Sequence, residues 1–247
     1  MSLVADVFEM VIIDKLGNVI AKDVLSESNI TKETAENEVR AGRGNNIYAI
    51  LNGDTNIEIS STTPVFNLEN LALHVGTEIV TGKGTAFASF EHVTVQEGDD
   101  SLSYVTLKHA PISEKYLSIV DKDGQQIPKA NMLLSGKEVQ FSSGVQVGED
   151  LKVLTYEYET SEDTKQLDIN IDQFPKDVRI VLTTLKLNQD SQPVSELQFD
   201  FPRVKPSANF AINTGSEREA SPQEANFKVL LNPNTKKLGT IKEIPLT

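Results

Sequence analysis

The chain contains no cysteine and no tryptophan, and only three histidines occur in its 247 residues. Without cysteine there is no disulfide, no thiolate metal site and no cysteine nucleophile. His74, His92 and His109 are too far apart to make a His-Glu-x-x-His zinc pair. His74 falls at the C-terminal end of an expected helix, where the helix dipole favours a cation. His92 lies in a strand and His109 at a strand end, and all three read as partly exposed side chains rather than catalytic ones. No Gly-x-Ser-x-Gly elbow is present. Aromatics make up only 6% of the chain, which leaves little from which to build a sugar platform, and none of the 36 acids forms a distinctive pair. No enzymatic site assembles from these residue types.

Long apolar runs are missing as well. No stretch approaches the roughly 18 residues of a membrane span. The opening Met1-Ser2-Leu3-Val4-Ala5-Asp6 has no basic segment before an apolar one and does not read as a signal peptide. Basic charge is scarce: 23 Lys and Arg face 36 Asp and Glu, for a net charge of -13. That excess repels phosphate and anionic lipid at long range, against nucleic-acid or membrane-surface binding.

The glycine-rich segments stop short of ligand motifs. Thr81-Gly82-Lys83-Gly84-Thr85 lacks the first glycine of a phosphate loop, since position 77 is Thr, and Gly rather than Ser or Thr follows Lys83. Gly42-x-Gly44 lacks the third glycine of a dinucleotide fingerprint. Asp121-Lys122-Asp123-Gly124 begins like a calcium loop but has no closing acid, and a plain β-turn accounts for it. Neither a cofactor nor a metal is expected.

What the sequence does contain is strand after strand. Val7–Ile13 and Val19–Ala21 flank the turn residues Asp14-Lys15-Leu16-Gly17-Asn18 as a hairpin. Ile47–Leu51 and the alternating Asn56–Ser60 follow, then Thr85–Phe90, His92–Gln96, Tyr104–Lys108, Tyr116–Val120, Glu138–Phe141 and Lys152–Tyr158. Gln166–Ile171, Val178–Lys186, Glu196–Phe201, Ala208–Ile212, Asn226–Leu230 and Leu238–Ile244 complete the set. One helix is expected over about residues 64–75. Thr63 is its cap, Pro64 its first residue, Val65, Leu68, Ala72 and Val75 its apolar face, and Gly76 its stop. The polar stretches 26–46 and 215–224 read as loops. Turn signals every 8–15 residues across 101–160 suggest an Ig-like unit. The expected fold class is therefore mainly β with one flanking helix.

Several segments resemble a known family. They are Glu38-Val39-Arg40-Ala41-Gly42-Arg43-Gly44-Asn45, Ile57-Glu58-Ile59, the helix Phe66–Gly76, Phe201-Pro202-Arg203-Val204-Lys205-Pro206-Ser207-Ala208-Asn209-Phe210, Phe227–Leu231 and Leu238-Gly239-Thr240-Ile241. Their layout, over most of the chain, resembles the major tail proteins, or tail tube proteins, of tailed bacteriophages and prophages. The resemblance implies a tail-tube-like β-sandwich or barrel with one flanking helix. It implies a structural virion protein, made in the host cytoplasm, whose partners are copies of itself and other tail proteins. Those copies would form rings, usually hexameric, that stack into a tube through which DNA leaves without specific binding. Residues 1–100 with 161–247 would form the tube domain and 101–160 an Ig-like insertion. Glu38, Arg40, Gly42, Arg43, Gly44 and Asn45 are the candidate ring-stacking loop. An acidic wall would keep DNA sliding, so lumen-facing strands are expected to carry acids in excess. The alternative is a capsid decoration protein or an Ig-like adhesion module.

Overall fold

A computed structural model describes residues 3–4, 6–98, 102–212 and 222–246. The chain divides into two units, Met1–Ile79 with Leu167–Thr247, and Val80–Gln166. The first unit opens with β1 (Leu3–Val4), β2 (Glu9–Ile13), β3 (Val19–Val24), β4 (Glu27–Ala41), β5 (Asn46–Thr63) and α1 (Leu68–Val75). The second holds β6 (Val80–Thr81), β7 (Thr85–Phe87), β8 (Glu91–Thr94), β9 (Gln96–Glu97), β10 (Ser103–Thr106), β11 (Ser118–Val120), β12 (Met132–Ser135), β13 (Glu138–Phe141), β14 (Asp150–Thr155), β15 (Glu157–Glu159) and β16 (Lys165–Gln166). The chain then returns to the first unit through β17 (Val178–Leu187), β18 (Pro193–Pro206), β19 (Gln223–Val229) and β20 (Thr240–Pro245). The architecture is mainly β with a single α-helix among the described residues, as the patterning predicts.

Nine strands of the first unit make one antiparallel sheet, in the order β3-β2-β17-β18-β19-β5-β4, with β1 on β17 and β20 on β18. β18 is long enough to serve two neighbours along the edge away from β17. β20 takes Ser195–Asp200 and β19 takes Val204–Pro206. In β19 buried and exposed residues alternate without a break, the signature of a strand with one face on a core. That core gathers Met10 and Ile12 from β2, Ile59 from β5, Ile180 and Leu182 from β17, Val204 from β18 and Phe227 from β19, with Leu73 of α1 packed against them. Burying each such side chain is worth about 1.5–3 kcal/mol.

The helix starts later than the sequence suggests, at Leu68 rather than near residue 64. Thr63 stays in β5, opposite Gln223, and its Oγ1 donates to Val24 O at 3.0 Å, so it is not available as a cap. Asn67 caps instead: its Oδ1 accepts from Glu69 N at 2.9 Å. Gly76 ends the helix with φ 85°, a left-handed stop whose N–H returns to Ala72 O.

A second difference lies beneath that helix. His74 is 1% exposed rather than a surface residue. Its Nδ1 donates to the Ser207 carbonyl at 2.7 Å, which fixes the tautomer and leaves Nε2 a bare acceptor. One turn earlier, buried Asn70 donates through Nδ2 to Asp23 at 3.0 Å, and its Oδ1 has no partner among the described residues. Burial pushes the His74 pKa down and the Asp23 pKa up.

Three further expectations change. The polar segment 26–46 is not a loop but most of a β-hairpin, because β4 pairs with β5 along its length. Of Gln166–Ile171 only Gln166 is strand. Ala208–Ile212 contributes a single bridge, Ile212 to Gln223. The 215–224 stretch falls largely outside the described residues, and Gln223 and Glu224 open β19.

In the second unit, four-stranded (β12-β13-β10-β9) and three-stranded (β11-β14-β8) sheets enclose a core of Val105, Leu117, Ile119, Phe141, Leu151 and Val153. Tyr156 is buried among them. Its hydroxyl donates to Glu91 Oε1 at 2.8 Å and accepts from His109 N at 3.0 Å. Burial, with the Glu91 carboxylate beside it, pushes that phenol up to about 12. The unit's first and last strands, β6 and β16, pair with each other, Val80 opposite Gln166.

Candidate assembly surface

β4 and β5 run antiparallel from Glu27↔Thr62 at the base to Ala41↔Asn46 at the tip. Near the base the alternation Ile57-Glu58-Ile59 turns two isoleucines onto the core. Beyond it the character changes: from Glu33 to Thr55 no residue is buried. At about 3.4 Å per residue, the free part projects by roughly 25 Å. An isolated two-stranded ribbon is only marginally stable in water.

Apolar side chains cover this projection. Val39, Ile47, Ile50 and Leu51 are exposed, and Tyr48 is 81% exposed. A bulge makes Tyr48 prominent: Val39 pairs with Ala49 and Arg40 with Ile47, so Tyr48 is the extra residue of its strand. A contiguous apolar surface on an element that packs against no core marks a protein-contact site.

All six residues of the predicted loop lie at the end of this arm. Gly42, Gly44 and Asn45 take φ values of 82°, 92° and 52°, the left-handed conformations that close the turn. Arg40 Nε donates to Glu38 Oε2 at 2.9 Å, and its Nη1 reaches Asn45 O at 3.3 Å, tying strand to turn. Arg43, at the apex, has no ion-pair partner among the described residues. The sequence reading found this turn but missed the apolar residues behind it, because Ile47–Leu51 has the composition of a buried strand.

Catalytic and metal chemistry find no support in the geometry. Among the described residues no three His, Asp or Glu side chains converge as metal ligands. The His92 ring meets Phe90 edge-on at 5.1 Å, and His109 stacks on Tyr158 at 4.1 Å. No helix among them is long and apolar enough to cross a membrane.

Comparison with known proteins agrees with the assembly surface. The YomU/Tube protein family matches residues 2–244. The chain belongs to this family. A tail tube protein of Bacillus phage SPR is 24% identical over 227 residues, covering 87% of this chain and 78% of that protein. The YomU/Tube match spans both units, so the Val80–Gln166 segment lies inside the matched region. In this YomU/Tube chain the arm is the feature that a structural role has to explain.

Proposed function

We propose that the protein is the structural subunit of a phage tail tube. Copies form rings, six to a ring, that stack into a hollow tube through which DNA is ejected, and the protein resides in the virion tail with itself and other tail proteins as partners. The observation that carries this reading is the β4–β5 arm, with its exposed Ile47, Tyr48, Ile50 and Leu51, in a chain whose family and phage relative are named for tubes. The arm bridges from one ring to the next, its tip formed by Glu38, Arg40, Gly42, Arg43, Gly44 and Asn45. Along the hairpin Glu27, Glu33, Glu36, Glu38, Asp54 and Glu58 outnumber Lys32, Arg40 and Arg43, a bias suited to a wall that must not hold DNA. Val80–Gln166 is an Ig-like insertion in the tube-forming domain.

Negative-stain electron microscopy of the purified protein over a range of concentrations tests the reading. Rings with a central hole, or hollow tubes, are expected. Monodisperse monomers at high concentration, even with tail-initiating components added, would favour a decoration or adhesion module instead.

A further inference from the structure

The first unit has a groove of about 480 Å³ between α1, the β2–β3 turn and the start of β17. Its floor is apolar, with Leu16, Ile20, Leu73 and Val178, and Leu16 is 88% exposed on the turn. Its rim is acidic: Asp14, Glu69, Glu78 and Asp177 face only Lys15 and Lys176. Both lysines are already engaged, Lys176 with Glu78 at 3.4 Å and Lys15 with Asp177 at 3.9 Å.

We infer that this groove is the seat for the β4–β5 arm of a second copy of the chain. The arm supplies what the groove lacks. Tyr48, Ile47 and Ile50 match the apolar floor, and Arg43 brings a cation to a rim with surplus carboxylates. A second groove, of about 540 Å³ beside β18 and β19, is the worse match: Lys205 and Lys228 oppose a single Glu58 there, the wrong sign for an arginine tip. An arm on one face meeting a different surface on the next copy is a heterologous contact, which propagates head to tail and suits stacking rather than a closed dimer. The inference rests on the tail-tube reading and names the partner surface of its stacking element.

The absence of cysteine allows a direct test. A tagged Tyr48→Cys variant is mixed with an untagged Leu16→Cys variant under mild oxidation, and disulfide-linked species are resolved on non-reducing gels. A mixed cross-link several-fold stronger than either variant forms alone is expected. Arg43→Glu in the first partner should weaken it several-fold, and Glu78→Lys in the second should restore it. No mixed cross-link, or an equal one to a Lys205→Cys variant beside the second groove, overturns the inference. Microscopy of the wild type separates the two readings. Tubes without the mixed cross-link remove the groove as seat and leave the tube; the cross-link without rings or tubes keeps the pairing and removes the tube; neither removes both.

Discussion

At the scale of single residues, the polar group under α1 governs behaviour in acid. His74 is kept neutral by burial, with its pKa below the ordinary 6.5, so the unfolded chain binds the proton first. The stability this confers is complete above about pH 6.5 and is lost as the pH falls beneath it, no faster than about 1.4 kcal/mol per pH unit. Asp23 acts in the opposite sense: its pKa is raised from 3.8, so part of the loss is recovered at lower pH as it protonates in the fold. Denaturant melts from pH 8 to 5 should show a fall below pH 6.5. His74→Asn keeps the donor to Ser207 but cannot titrate. It should cost about 1–3 kcal/mol at pH 7.5 and flatten that slope. Gly76 is equally constrained. A Cβ there would meet the Phe174 carbonyl and Pro175 nitrogen, at a φ of 85° that L residues avoid. Gly76→Ala should lower stability by about 2–4 kcal/mol in the same assay. The sequence marks Gly76 as a helix stop. It does not mark His74 as buried, because a basic residue in a last helical turn is also what an exposed C-terminus favours.

At the scale of elements, the β4–β5 arm separates function from stability. Tyr48→Asp or Ile50→Asp touches nothing in the core, so the melting midpoint should move by no more than about 0.5 kcal/mol. Sedimentation should nonetheless show loss of higher assemblies. Elements were legible in proportion to how fully the core dictates them. β2, β17 and the Asn56–Ser60 part of β5 carry the alternation that one buried face imposes, and the sequence shows them plainly. β4 carries none: Glu27, Asn29, Lys32, Glu36 and Asn37 are held only by the ladder to β5, so polar composition reads as loop. Residues 167–171 mislead in the other direction. Leu167, Ile169 and Ile171 alternate as in a strand, yet Ile169 and Ile171 face solvent and the pairing ends at Gln166. The tip was found from its glycines, since a turn with three left-handed residues has few other compositions.

At the scale of the whole chain, two cores imply two responses. Met10, Ile180 and Phe227 belong to one cluster, Leu151, Phe141 and Tyr156 to the other, and the clusters share no residue. Leu151→Ala should cost the second unit about 2–5 kcal/mol, while hydrogen exchange of β17 amides, in the first unit, stays at the wild-type rate. The sequence showed a change of character near residue 100 but not the short paired strands at Val80 and Gln166, because two-residue strands leave no periodic trace. That pairing has its own consequence. A segment whose ends already stand side by side is a cassette. It could be exchanged for any domain with neighbouring termini without lengthening the path from Ile79 to Leu167, and a repeating scaffold built from this chain would then display such cargo once per subunit.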